Sequence, residues 1–282
     1  AGGMTKKRRT SDNIGAFDIA LGGAMLPYPT ISNMITKMRA AREITAYGVF
    51  ADDGRYTEER ALADRYNRAV MSGSPALVPE SDSGKALREL LDSLDGDMLG
   101  YVSIPAIDEE LPVYPGTSED SLQSGTGWWV GTSLPSNDAG NCVITAHSGL
   151  LKASLFTNLD RLAIGDTFTI RMFGASYVYT VDLIDITDPD DTEFLTVPDG
   201  KSHATLYTCT PVGENTHRLI VRGTLMDNAG NETDTAIGAD DNTIGRLIVG
   251  MSTLAFIIVL GIWMSALIVR AKKDRQARWH KR

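Results

Sequence analysis

Residues 205–223 read TLYTCTPVGENTHRLIVRG. β-Branched and aromatic residues dominate both ends, and a run rich in Thr, Pro, Gly and Asn separates them. That is the pattern of two strands joined in a hairpin. Alternation sets Thr205, Tyr207 and Cys209 on one side of the first strand and Leu206 and Thr208 on the other. A hairpin of this shape lets the Cys209 thiol and the Arg218 guanidinium meet across neighbouring strands, within reach of one bound group. His217 adjoins Arg218, so the same alternation turns it to the opposite face.

The texture of this hairpin extends back to Met98. MLGYVSIPAI, LPVY, NCVITAH, TFTIRMF, SYVYTVDLIDI, HATLYTC and HRLIVRG are short runs of Val, Ile, Thr, Tyr and Phe, separated by Gly, Pro, Asp and Asn clusters. Seven or eight short strands at close spacing predict a mainly β domain, a closed barrel or a sandwich. LLKASLFTNLDRL, just after His147, predicts a helical turn or two. Upstream, residues 33–70 are rich in helix formers and permit an amphipathic helix. Residues 72–84 have the Ser, Pro and Gly density of a loop, and a short helix is expected over 85–94.

Charge is placed unevenly along the 282 residues. Lys6 to Arg9, Arg246 and the tail Arg270–Arg282 carry a net +11, so residues 10–245 carry −20 within a total of −9. An acidic body with basic ends argues against nucleic-acid binding, which needs a basic face. Basic ends suit a membrane protein. LIVGMSTLAFIIVLGIWMSALIV, residues 247–269, contains no charge over 23 residues and lies between Arg246 and Arg270. It is long enough to cross a hydrocarbon core of about 30 Å as a helix. The positive-inside rule puts the tail in the cytoplasm and the acidic body outside. KKRR followed by IGAFDIALGGAMLPYPTI predicts an export signal or anchor, weakened by Asp18, Pro27 and Pro29.

The expected organisation is therefore a basic N-terminus with a weak export segment (1–36), a helical, lid-like region (37–96) and the β domain (97–226). An acidic linker (227–246), the membrane span (247–269) and a basic tail (270–282) complete it.

An exported chain with two cysteines can form a disulfide, although the sequence does not show one. Cys142 shares a strand face with Ile144 and Ala146 and reads as a small buried hydrophobe, which leaves Cys209 for reaction. A nucleophilic thiol needs a base or a populated thiolate. Of the four histidines, His280 lies in the tail, His217 points away from Arg218, and His203 is expected to be exposed. His147 ends an apolar strand at a barrel rim, where it reads either as the proton-transfer partner or as a satisfied structural residue. Arg218 reads either as an oxyanion stabiliser or as a surface ion-pair residue. The histidines and cysteines show no zinc-ligand spacing, and no metal or cofactor is expected.

TLYTC resembles the TLxTC signature of sortases, the cysteine transpeptidases of Gram-positive bacterial surfaces. TAHSGL is similar to that family's catalytic-histidine segment, and NTHRLIVRG to its catalytic-arginine strand. GYVSIPAIDEELPVYPGTSEDSLQSGTGWWVGTSLP, LFTNLDRLAIGDTF and DPDDT extend the resemblance, in family order, over about residues 97–224. It implies an eight-stranded sortase barrel with Cys209 as nucleophile, His147 as proton-transfer partner and Arg218 as the substrate and oxyanion clamp. The wording around HRLIVRG and the two hydrophobic segments are most like class C sortases, which polymerise pilins. The implied substrates are surface proteins or pilin subunits bearing an LPxTG-like motif. The implied acceptor is an amine, a pilin lysine or a cell-wall peptide. Class C relatives often carry a lid with an Asp-Pro-aromatic motif over the cysteine. Residues 71–97 occupy that place without such a triplet, and AHSGL replaces the Gly before and the Arg after the histidine seen in many relatives. The readings held beside this one are a housekeeping anchoring sortase, a cysteine hydrolase using water, and a membrane-anchored binding module.

Overall fold

The computed structural model describes residues 28–49, 56–94, 98–197 and 200–226. The export segment up to residue 27, the linker, the span at 247–269 and the tail lie outside the described residues. Among the described residues, no helix is long and apolar enough to cross a membrane.

Eight strands close into a barrel: β1 (Gly100–Ile104), β2 (Glu109–Pro115), β3 (Thr126–Trp128), β4 (Gly140–Thr145), β5 (Thr167–Met172), β6 (Ala175–Thr187), β7 (Ser202–Thr210) and β8 (His217–Leu225). Around the ring they run β1-β2-β3-β4-β7-β8-β6-β5. The β2–β3 and β4–β7 pairs are parallel; the other neighbours are antiparallel. Each of the seven apolar runs forms a strand. The eighth strand, β3, has three residues, too few for alternation to be visible in sequence. Phe173 and Gly174, with φ of 50° and 70°, make the tight β5–β6 turn, whose twist matches that of the strands it joins.

The strands that carry the opening hairpin are covered on both faces. Cys142, Ile144, Ala204, Leu206, Leu219 and Val221 point inward to the main core with Trp128, Phe168 and Tyr179. Val143, Tyr207 and Ile220 point outward and form a second cluster with Trp129, Phe194 and Leu195. Each fully buried aliphatic or aromatic side chain contributes on the order of 1.5–3 kcal/mol.

Helix α1 (Tyr28–Val49), α2 (Thr57–Met71), α3 (Asp82–Leu94) and the short α4 (Glu119–Ser124) complete the fold. The helical stretch expected over 33–70 is two helices. α2 is fastened to the barrel by side chains. Tyr66 packs edge-on against Trp128 at 5.3 Å, and its hydroxyl donates to the Thr132 carbonyl at 3.2 Å. Asn67 donates to the Leu134 carbonyl (3.0 Å) and accepts from the Leu134 amide (2.7 Å). α1 lies along β2, where Lys37 reaches the buried Glu109 carboxylate at 3.3 Å. Burial pushes the Glu109 carboxyl up against the opposing pull of Lys37.

α3 begins at Asp82 and not at residue 85. The small residues that read as a loop instead let the helix pack against the preceding turn. Ser83 donates from its hydroxyl to the Ser74 carbonyl at 3.1 Å, and a Cβ on Gly84 would sit 2.1 Å from the Val78 carbonyl oxygen. The helical turns expected after His147 shrink to turns and one 3-10 turn, Leu159–Arg161.

Candidate active site

β7 and β8 are antiparallel, and the register sets Cys209 directly opposite Arg218. Both residues lie on the outer face, with Tyr207 and Ile220 the next outward-facing pair, two register steps further in. β4 runs parallel to β7 on its other side, and its last ladder pair is Thr145 with Tyr207. Two residues further along each chain stand His147 and Cys209. The chains stay tied beyond the ladder: the Thr208 hydroxyl donates to the Ala146 carbonyl at 2.7 Å, and the Ser148 hydroxyl donates to the Cys209 carbonyl at 2.6 Å. Three neighbouring strands thus deliver a thiol, an imidazole and a guanidinium to one rim of the barrel.

The two cysteines are both free thiols. Cys142 points into the core, is 1% exposed, and burial pushes its thiol far up, so it is held as a neutral hydrophobe. Cys209 is partly exposed. Arg218 donates from one guanidinium nitrogen to the carbonyls of Asn215 and His217, each at 3.0 Å. His217 is exposed beside Asp188. His203 departs from expectation, because it is 1% exposed. Its Nδ1 lies 3.2 Å from the Thr224 hydroxyl, and that hydroxyl donates to Asp182 at 2.6 Å. Arg222 clamps the same carboxylate at 3.0 and 3.2 Å. This network sits at the start of β7, six residues from Cys209, and takes no part in the rim cluster.

His147 has a partner that the sequence did not signal. Its Nε2 lies 3.6 Å from Glu119 on α4. Gln123, one turn along the same helix, donates to the other Glu119 oxygen at 2.7 Å, and Lys152 donates to Gln123 at 2.7 Å. The Glu119 carboxyl is held below the usual range, first by the Gln123 hydrogen bond and further by His147 and Lys152. The loop after His147 is in turn held by α1: Asn33 accepts from the Ser154 amide (2.8 Å) and hydroxyl (2.9 Å). The spacing Glu119 to Gln123, i to i+4, was the only trace of this relay in the sequence.

The β6–β7 loop closes the other side. Asn141 donates to the Phe194 carbonyl at 2.6 Å and accepts from the Thr205 hydroxyl at 2.9 Å. The Phe194 ring is thereby stacked on Tyr207 at 4.6 Å, with Trp129 edge-on to both rings at 6.0 and 5.7 Å. An apolar aromatic wall therefore stands beside the thiol. Among the described residues, no cluster of three or more His, Cys, Asp or Glu could hold a metal.

A family model described as a sortase domain matches residues 102–226. Among curated relatives, sortase D of Bacillus subtilis (strain 168) is 30% identical over 131 residues, which cover 45% of this chain and 64% of the relative. The matched region thus spans just under two thirds of that protein. Among solved structures, sortase C1 of Streptococcus agalactiae is 36% identical with a TM-score of 0.60, covering 66% of this chain and 99% of that one. The Streptococcus pneumoniae sortase C structure, whose description speaks of catalysis and pilin substrate specificity, is 37% identical with a TM-score of 0.57, covering 68% of this chain and 98% of that one.

Proposed function

The chain belongs to the sortase family, and we propose that it is a membrane-anchored cysteine transpeptidase that joins pilin subunits bearing an LPxTG-like motif to an amine, a pilin lysine. The observation that carries this reading is the register that sets Cys209 opposite Arg218 beside the His147 end of β4. The likeness to class C sortases, one described in terms of pilin specificity, supports the pilin arm.

With its thiol proton passed to His147, Cys209 Sγ attacks the carbonyl carbon of the Thr-Gly bond of the sorting signal, and the developing oxyanion is held by Arg218. The tetrahedral adduct collapses as His147 gives its proton to the departing glycine amine, which leaves a thioester between Cys209 and the threonine. The acceptor amine then attacks the thioester, His147 takes the amine proton, and the thiolate departs as the new amide forms. The aromatic wall of Trp129, Phe194 and Tyr207 suits the apolar part of the signal. Glu119, 3.6 Å from His147 Nε2, orients the ring that donates the proton. Residues 247–269 anchor the enzyme with the barrel outside the cell and the basic tail in the cytoplasm. Confinement of enzyme and tethered substrate to one surface raises their effective concentration.

The test uses the full chain in detergent, an LPxTG peptide and a lysine-bearing pilin domain, read by mass spectrometry. The expected product is the pilin carrying the peptide up to its threonine through an isopeptide bond. Release of the free acid alone marks a hydrolase, transfer only to a cell-wall peptide marks an anchoring enzyme, and an unmodified Cys209 defeats the transpeptidase reading altogether.

A further inference from the structure

Resting on the proton-transfer role of His147 proposed above, we infer that Asn33 of α1 is a positioning residue for the His147 imidazole. It acts through the backbone of the loop that follows the histidine, whereas Glu119 acts on the ring itself.

The contacts between the two residues form an unbroken series. Asn33 Oδ1 accepts from both the amide (2.8 Å) and the hydroxyl (2.9 Å) of Ser154. The next residue, Leu155, has a φ of 43°. A branched side chain is seldom held in that left-handed region, and it stays there only where its surroundings over-determine it. Two sets of contacts do so here. The Leu155 side chain is 1% exposed and packed in the main core, and Ser154, just before it, is gripped by Asn33. The turn so made aims the Phe156 amide back at the start of the loop, where it donates to the His147 carbonyl at 3.2 Å. Loss of the Asn33 oxygen frees Ser154, lets Leu155 leave its strained conformation and loosens the bond that fixes the histidine backbone.

α1 is a firm base for this grip. Its Lys37 donates to the Asp108 carbonyl at 2.7 Å and pairs with the buried Glu109, and its Tyr47 hydroxyl donates to the Leu99 carbonyl at 3.1 Å. Thr36 adds a second tie to the loop, donating to the Lys152 carbonyl at 3.1 Å. The Lys152 ammonium in turn donates to Gln123, which holds Glu119. The helix therefore reaches His147 along two routes, through the loop backbone and through the ring's carboxylate partner.

The experiment measures thioacyl formation at Cys209 in the full chain, with the sorting peptide and with a thioester of the same peptide ending at its threonine. The amine leaving the sorting peptide needs the His147 proton, whereas a thiolate departs without one. Asn33→Ala is expected to lower kcat for the sorting peptide about 10-fold, with KM changed less than about 2-fold, because a misplaced proton donor slows the step it serves. Acylation by the thioester should fall less than about 2-fold. Asn33→Asp keeps the accepting oxygen, and Lys37, one turn along α1, offsets its charge; its kcat for the sorting peptide should return to within about 3-fold of the parent. Should Asn33→Ala fail to fold, Ser154→Ala removes one of the two donors and should show about a 3-fold loss confined to the sorting peptide. Parent-like kcat in Asn33→Ala, equal losses with peptide and thioester, or no recovery in Asn33→Asp overturns the positioning role while the transpeptidase reading stands. Absence of a thioacyl enzyme in the parent chain overturns that reading, and this inference with it.

Discussion

Cys142 and Cys209 lie on opposite faces of neighbouring strands, and their substitutions are expected to separate cleanly. Cys209→Ala should abolish the thioacyl intermediate, seen by intact-mass spectrometry, without lowering the melting temperature. Cys142→Ala should keep acylation and cost about 1–2 kcal/mol of stability in denaturant titration, the transfer and cavity loss of a buried sulfur. Equal activity losses in both would undo the assignment. Gly149, two residues after His147, has φ +73°, and a Cβ there would lie 2.7 Å from Val212 Cγ1. Gly149→Ala is therefore strained twice over and should lower turnover by displacing the His147 loop, while Leu151→Ala on the exposed side of that loop should not. At this scale the facing of Cys209 and Arg218 was legible, because strict alternation and a short turn leave little freedom. The burial of His203 was not. It depends on Asp182, Arg222 and Thr224, partners distant in sequence that meet at the β6 bulge between Val181 and Leu183.

Among the elements, α2 acts as a strap across the β3–β4 connection, and Asn67 is its buckle. Both of its amide atoms serve Leu134, a residue that is 1% exposed. Asn67→Ala leaves two buried backbone groups without partners and should cost about 2–3 kcal/mol by chemical denaturation. A loss below about 0.5 kcal/mol would mean that the strap carries no weight. Strands were easier to read than helix limits. Seven strands announced themselves by composition, whereas α3 was hidden at its start because Ser83 and Gly84, ordinary loop residues, are there for close packing against Ser74 and Val78. Residues 71–97 hold the place of a lid, and part of that stretch is built into the barrel's own core. Ala76, Ala86, Leu90 and Leu94 are buried in the main core.

For the whole molecule, acid sensitivity follows from Asp182. Partial burial opposes its ionisation, but hydrogen bonds from Arg222 and Thr224 and the nearby charges of Arg222 and His203 outweigh that and hold the carboxyl below its ordinary value. A depressed folded-state value means that this stabilisation is present above the unfolded carboxyl pKa of about 3.9. It is lost as pH falls through the lower folded-state value. Melting curves between pH 6 and 3 should show a shallower acid decline in Asp182→Asn than in the parent, and parallel curves would refute the linkage. The barrel was readable from sequence, but the order of strands around it was not, since that order depends on pairings such as β1 with β5 and β4 with β7 that join distant segments.

That ring order also governs when the chain becomes chemically competent. β7 and β8 are consecutive and can pair as soon as both are synthesised, whereas β4 must return to β7 across some sixty residues, a slow, non-local event. A partly folded chain therefore holds its sulfur and its cation together but lacks the imidazole. In the proposed mechanism such a species has no group to protonate the departing amine, so a half-built enzyme stays inert until β4 has docked on β7.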